Sequence, residues 1–308
     1  MLSRPSLISA CWLLALCLLS LSGLSARRVP GTEVCHAAVP RMALPQYTPH
    51  DSVEVMRLLY AAASQPVNTN NVLFFARRLV GLPYVAHTLE VNDRERLVVN
   101  LRQLDCTTYV ENVVALTMCV ACGERTFEAF CRNLRTLRYM YGTEPQYATR
   151  LHYFTSWIAD NTAKGICYEV QSEGKPFTAV QRVSASYMTA HPDRYRMLAV
   201  NPSDIPAIRS QEERITGMEF RYIPQEELEN TSLLRQTIRD GDIVAIVTTL
   251  EGLDTQHVGI AVWHADGLHL LNASSVHKKV VEEEMTLRQY LMRHKTMLGI
   301  RVVRLRAA

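Results

Sequence analysis

Cys106 and His257 are residues whose types and settings could together perform nucleophilic acyl transfer. A thiol attacks as its thiolate, and the free pKa near 8.5 must be lowered or the proton taken by a base. Cys106 follows Asp105, a residue type that caps helices well. After it, almost every residue from Val113 to Cys122 is apolar. That pattern predicts a helix buried on all sides, with Cys106 in its first turn. A helix start would lower the thiol pKa and offer backbone N–H groups to an oxyanion. Among ten histidines, His257 stands out because it opens an alternating segment. His257, Gly259 and Ala261 share one face, and Val258, Ile260 and Val262 the other. The small residues beside His257 are expected to leave room for the cysteine helix. A third group should hold the imidazole tautomer, and Asn272 is the choice. Read as a two-residue hairpin turn, Asp266-Gly267 pairs Asn272 with Ala261. Asn272 then shares the face of His257 but lies four residues along, a gap that twist, a bulge or a longer loop must close. Ser274 has the same parity and is the alternative.

Helices must come first in the chain to position these groups. One is expected from Asp51, with Val55, Leu58, Leu59 and Ala62 on one face and Asp51 as its cap. A second runs from about Val72 to Val80. The cysteine helix follows and ends at Gly123. The next carries Phe127, Phe130, Cys131, Leu134, Leu137 and Tyr141 on one face and several arginines opposite. Phe154, Trp157 and Ile158 mark one more. Residues 161–230 read as loops and short elements. The C-terminal third then turns to strands at Ile243–Val247, His257–Trp263, Leu268–Ser275 and Leu298–Leu305. Helices followed by an antiparallel sheet make an α+β order. No internal repeat is visible.

The 308 residues, 48% of them hydrophobic and 20% charged, can bury a substantial core. The formal charge of +3, with no basic block interleaved with aromatics, gives no ground for a nucleic-acid partner. Arg4 and the apolar stretch from Leu7 to about Leu24 read as a secretory signal peptide cleaved near Ser25 or Ala26, leaving no membrane span. An uncleaved anchor, or a lipoprotein built on Ile8-Ser9-Ala10-Cys11, is the alternative. Cys35, Cys106, Cys119, Cys122, Cys131 and Cys167 remain after cleavage, and export permits some of them to pair. Cys119 and Cys122 form C-x-x-C but lie within the apolar run, so they are read as small buried hydrophobes rather than a metal or redox site.

These segments resemble a known family. Leu-Asp-Cys-Thr-Thr-Tyr-Val-Glu at 104–111, Gly241-Asp242 before a strand, His257-Val258-Gly259-Ile260 and Leu271-Asn272-Ala273-Ser274-Ser275 are similar to the NlpC-type papain-like cell-wall cysteine peptidases and amidases. Gly81-Leu82-Pro83-Tyr84-Val85-Ala86 and Leu151-His152-Tyr153-Phe154 resemble more closely the N-acetylmuramoyl-L-alanine amidase-like branch common in Bacteroidetes. The likeness spans roughly residues 50–305. It implies a papain-like α+β core, with the nucleophile helix packed on a C-terminal antiparallel sheet. It implies Cys106 as nucleophile, His257 as base and Asn272 as orienting residue, although many relatives carry His at the last position. It implies Asp105, Thr107, Tyr84, His152 and Ser274 as substrate-binding candidates. It further implies hydrolysis of the N-acetylmuramoyl-L-alanine bond of muropeptides, notably anhydro forms, with no metal and no cofactor. The expected layout is a signal peptide over 1–26, an arm or linker over 27–47, and one catalytic domain over 48–308 with an insertion around 140–235. The expected location is the periplasm. Rival functions are a γ-D-glutamyl-diaminopimelate endopeptidase on the same fold, a non-catalytic wall-binding protein, and a metalloenzyme.

Overall fold

A computed structural model describes residues 44–306. The expected signal peptide and most of the expected arm lie outside them. Helix α1 (Pro49–Ala63) starts one turn earlier than its apolar face required. Thr48 is its N-cap, and Asp51 sits at the third helical position, its carboxylate accepting from Thr48 N–H at 2.8 Å. Asp51 therefore closes a capping box instead of being the cap. Helix α2 (Asn71–Arg78) begins at the Asn70 cap, whose Oδ1 accepts from Leu73 N–H at 3.0 Å.

Helix α3 (Cys106–Ala121) is the buried centre, with every residue from Thr108 to Cys119 inside. Helix α4 (Phe127–Arg138) ends before Tyr141, which takes a left-handed φ of 55° and is exposed. Two of the α4 arginines expected on its outer face, Arg135 and Arg138, are buried. Arg138, 2% exposed, donates to Glu111 of α3 at 2.7 Å and to Val98 C=O at 2.7 Å. The Glu at the end of the Asp-Cys-Thr-Thr-Tyr-Val-Glu run is thus a tie between two helices. Helix α5 (Phe154–Ala163) completes the first half.

The middle of the chain is richer than its sequence suggested. Strands β1 (Cys167–Val170), β2 (Ala179–Arg182) and β3 (Glu219–Pro224) surround three helices, α6 (Tyr187–Ala190), α7 (Arg196–Val200) and α8 (Ile205–Ile215). These helices bury a small core of their own around Met188, Met197, Leu198 and Ile208. Helix α9 (Ser232–Thr237) leads to β4 (Ile243–Thr248), β5 (Thr255–Trp263), β6 (Leu268–Ser274), β7 (Lys279–Glu282), α10 (Leu287–Met292) and β8 (Met297–Leu305). The sheet has eight strands in the order β2-β3-β8-β4-β5-β6-β7, with β1 also paired to β8, and the strand pairs are antiparallel.

Each face of the sheet carries its own core. Val258, Ile260, Val262, Leu271 and Ala273 pack with α3 and the other N-terminal helices. Ala261, Leu268 and Leu270 pack instead with Leu287, Tyr290 and Leu291 of α10. The small residues beside His257 therefore face α10 and not the cysteine helix. Gly259 is small for a nearer reason: an added Cβ would stand 2.7 Å from Leu271 C=O and 2.8 Å from the Leu270 side chain.

Removing one member of a buried ion pair strands the other charge in a low dielectric. Glu111→Ala should therefore destabilise the fold by about 3–5 kcal/mol, read as a lowered midpoint in urea denaturation. An unchanged midpoint would show that Arg138 finds another partner.

Candidate active site

Asp105 starts α3 by folding its carboxylate back onto the helix. Its Oδ1 accepts from Thr108 N–H and from the Thr108 hydroxyl, both at 2.8 Å, while Asp105 N–H donates to Thr108 Oγ1 at 2.9 Å. This reciprocal cap fixes the first turn and with it the Cys106 side chain. The sulfur lies against the start of β5, where the N–H of Val258 and the N–H and hydroxyl of Thr107 favour its anionic form.

His257 is placed by an irregularity in the sheet. Ile246 pairs with His257, but Val247 pairs with Thr255, so Gln256 is an extra residue on β5. A bulge of this kind turns the strand and re-aims the neighbouring side chain. Gln256 anchors it, its Oε1 accepting from the hydroxyls of Thr248 at 3.0 Å and Thr296 at 2.7 Å.

The hairpin loop is longer than Asp266-Gly267 implied. Trp263 pairs with Leu268, and His264 N–H donates to Gly267 C=O at 2.9 Å. One step beyond the Ile260–Leu271 pair, Asn272 falls opposite Gly259, two residues from His257 rather than four. The diagonal is within side-chain reach, and His257 Nε2 lies 2.9 Å from Asn272 Oδ1. Ser274 is turned elsewhere: its Oγ accepts from His277 N–H at 3.2 Å, and it lines no part of the cleft. Among the described residues His257 is bonded by Asn272, and no hydrogen bond joins it to Ser274.

Burial pushes the Cys106 thiol up to about 11, and the Asp105 carboxylate adds to the rise. The donors from Val258 and Thr107 oppose it without prevailing. Burial also holds His257 below the usual histidine value, helped by His294 and opposed by Asn272, Glu283 and Asp105. Both shifts favour the uncharged forms, a thiol at Cys106 and a neutral imidazole at His257. The shift runs opposite to the lowering expected from a helix start, because desolvation and the capping carboxylate both disfavour the anion.

Cys106 and His257 open onto a cleft of about 460 Å³, a size suited to a small ligand. Tyr84, Asp105, Thr107 and His152 line it. His152 is kept neutral by burial and by Arg150, and its Nε2 bonds Tyr147 C=O at 2.8 Å. The opposite wall was not legible in the sequence. Tyr187 and Met188 come from α6, and Tyr195 precedes α7. Arg150, buried in the wall, is paired with Glu90 and Glu95.

Away from the cleft, among the described residues, His264, Asp266 and His269 bring ligand-type atoms within 4.8 Å of one another. The two imidazoles stack with centroids 4.0 Å apart and planes 17° apart, so their ring nitrogens do not converge on a point as metal ligands must. Of the C-x-x-C pair, Cys122 at the end of α3 is disulfide-bonded, whereas Cys119 is free and buried, as are Cys131 and Cys167. The reading of both as buried free thiols fails at Cys122, where the helix has already left the core.

A family model described as AmiA-like, N-acetylmuramoyl-L-alanine amidase-like, matches residues 74–300. The chain belongs to this family. An N-acetylmuramoyl-L-alanine amidase from Bacteroides uniformis is 37% identical, with a TM-score of 0.71, the match covering 77% of this chain and 97% of that one. A Bacteroides fragilis protein provisionally named a xylanase is 38% identical, with a TM-score of 0.69, covering 75% and 98%. A Legionella pneumophila protein at 20% identity and a TM-score of 0.65, covering 83% and 94%, shares the fold. Among curated proteins none matches significantly. For this AmiA-like chain, family membership makes it an amidase-like protein with a peptidoglycan-derived substrate.

Two measurements probe the geometry. Iodoacetamide labelling of Cys106 should accelerate about tenfold per unit between about pH 7 and pH 9, because only the thiolate reacts; a flat profile would reveal a preformed ion pair. Asn272→Ala should lower kcat by roughly 10- to 1,000-fold with little change in KM. Asn272→His should retain much of the rate, and Ser274→Ala should do little. Reversal of the last two results would give the orienting role to Ser274.

Proposed function

We propose that the protein is a cysteine amidase that hydrolyses the bond between the lactyl group of N-acetylmuramic acid and L-alanine, in muropeptides and chiefly in anhydro forms. The observation that carries the reading is the convergence of Cys106, at a capped helix start, with an Asn272-bonded His257 in one cleft. The family membership supports the bond class. On this reading the α3–sheet unit is a papain-like core of the NlpC type.

With Nε2 of His257 engaged by Asn272, Nδ1 is the nitrogen left to take the thiol proton. Sulfur attacks the lactyl carbonyl as that proton moves to His257, forming a C–S bond and an oxyanion. The backbone N–H of Cys106, at the start of α3, stabilises the oxyanion. The carbon–nitrogen bond then breaks, and the imidazolium gives its proton to the departing alanine amine. Water attacks the thioester, again losing a proton to His257, and the proton returns to sulfur as the acid leaves. No step calls for a metal or cofactor. A neutral thiol–imidazole pair suits this route, since the nucleophile is made only when a carbonyl is in place.

Glycoside hydrolysis needs two carboxylates flanking the scissile bond. The cleft acids are otherwise engaged: Glu90 pairs with Arg150, Asp105 caps α3, and Asp254 accepts from Thr155 N–H at 2.6 Å and Thr255 N–H at 2.8 Å. The xylanase name of one relative therefore gains no support here. A substrate of this kind also favours export to the periplasm by the expected signal peptide. No helix among the described residues is long and apolar enough to cross a membrane.

Incubation with defined muropeptides and mass analysis of the products tests the proposal. An intact stem peptide plus free sugar is expected, and a trimmed peptide would mean γ-D-glutamyl-diaminopimelate cleavage instead. Cys106→Ala should abolish turnover in a folded protein. Activity should survive EDTA and be lost to iodoacetamide; the opposite pattern would mean a metal-bound water.

A further inference from the structure

Behind Asn272 lies a group that no motif marks. Glu283 follows β7, is 3% exposed, and accepts from Asn272 Nδ2 at 3.0 Å. Its other carboxylate oxygen lies 3.2 Å from Nε2 of the half-exposed His277. The backbone of Glu283 is held on both sides, its N–H donating to Leu270 C=O at 2.9 Å and its C=O bonded by His269 Nδ1 at 2.9 Å. We propose that Glu283 is a positioning residue that fixes the orientation of the Asn272 amide and, through it, the tautomer of His257.

The reason lies in donor and acceptor inventory. An asparagine amide presents an oxygen on one side and an NH₂ on the other, and either can face a histidine. A carboxylate only accepts. Glu283 therefore holds the NH₂ of Asn272 toward itself and turns Oδ1 toward His257. An oxygen facing Nε2 requires Nε2 to carry the proton, which leaves the lone pair on Nδ1 for the thiol of Cys106. Reverse the amide and the proton moves to Nδ1, so the imidazole loses its capacity as base. The negative charge acts in the same sense, since Glu283 favours the protonated form of His257 that catalysis must pass through.

The inference rests on the cysteine–histidine reading, and Glu283→Leu, Glu283→Gln and Cys106→Ala separate the two. Glu283→Leu should lose roughly 10- to 100-fold in kcat with KM within about twofold, because binding groups are untouched. Glu283→Gln can still accept from Asn272, so it should keep kcat within roughly tenfold while losing the charge. The acid limb of kcat/KM follows the protonation of His257, which feels Asn272, Glu283, Asp105 and His294 and lies 6.5 Å from the Tyr290 ring. Glu283 in turn faces Asn272, His277 and Tyr290. Loss of a charge that raises the His257 pKa must move that limb to lower pH, by about half a unit or more. A purely structural role would not move it. An unshifted limb in folded Glu283→Gln, or a wild-type kcat in Glu283→Leu, overturns the proposal while an inactive Cys106→Ala leaves the cysteine reading intact. An active Cys106→Ala removes both.

Discussion

The site depends on the packing of α3 across one face of the C-terminal sheet. The helix is apolar on all sides from Val113 onward, so it is stable only where helices cover one flank and β5 and β6 the other. Each large aliphatic side chain buried there contributes about 1.5–3 kcal/mol relative to exposure. That energy brings together two chain segments 150 residues apart. It also sets the depth at which Cys106 meets Val258, and hence the surroundings of the sulfur. Glu111 and Arg138 tie α3 to α4 in the same packing, with one buried charge answering the other.

Burial at that contact has an electrostatic consequence. A thiol withdrawn from water and set beside a capping carboxylate keeps its proton, and an imidazole withdrawn from water keeps its lone pair. Both groups rest uncharged. On the proposed mechanism charge appears only during reaction, when a carbonyl can accept the electron pair and the groups behind His257 can receive the positive charge. Asn272 and Glu283 favour the protonated form of the imidazole. The proposed nucleophile and base are thus tuned by different elements, α3 for one and the β5–β6–β7 meander for the other.

The cleft wall opposite the sulfur comes from the middle of the chain. Helices α6, α7 and α8 form a small core against Tyr147 and Tyr153 and present Tyr187, Met188 and Tyr195 to the cleft. Glu212 of α8 joins this wall to the floor, accepting from Tyr153 Oη at 2.7 Å and from Met188 N–H at 3.1 Å. The elements that carry the chemistry and those that shape the space before it are therefore separable.

By itself the sequence determined what local chemistry and periodicity determine. Asp105, a good cap type one helix length before the end of a mostly apolar run, marks the start of a buried helix, so the place of Cys106 was readable. The alternation from His257 to Val262 made a strand, and Leu268 to Ser274 its partner. The tertiary structure decided what depends on registers and on neighbours distant in the chain. A four-residue loop in place of a two-residue turn brought Asn272 to His257, and the extra Gln256 made a bulge beside the histidine. Which sheet face met α3 was not decidable from alternation, because both faces are apolar and both are covered. The short strands β1, β2, β3 and β7 carry too few residues to show a period, and only pairing defines them. Glu283 and the shifted proton affinities were out of reach for the same reason: a carboxylate in sequence has no partner, and burial is a property of the folded whole.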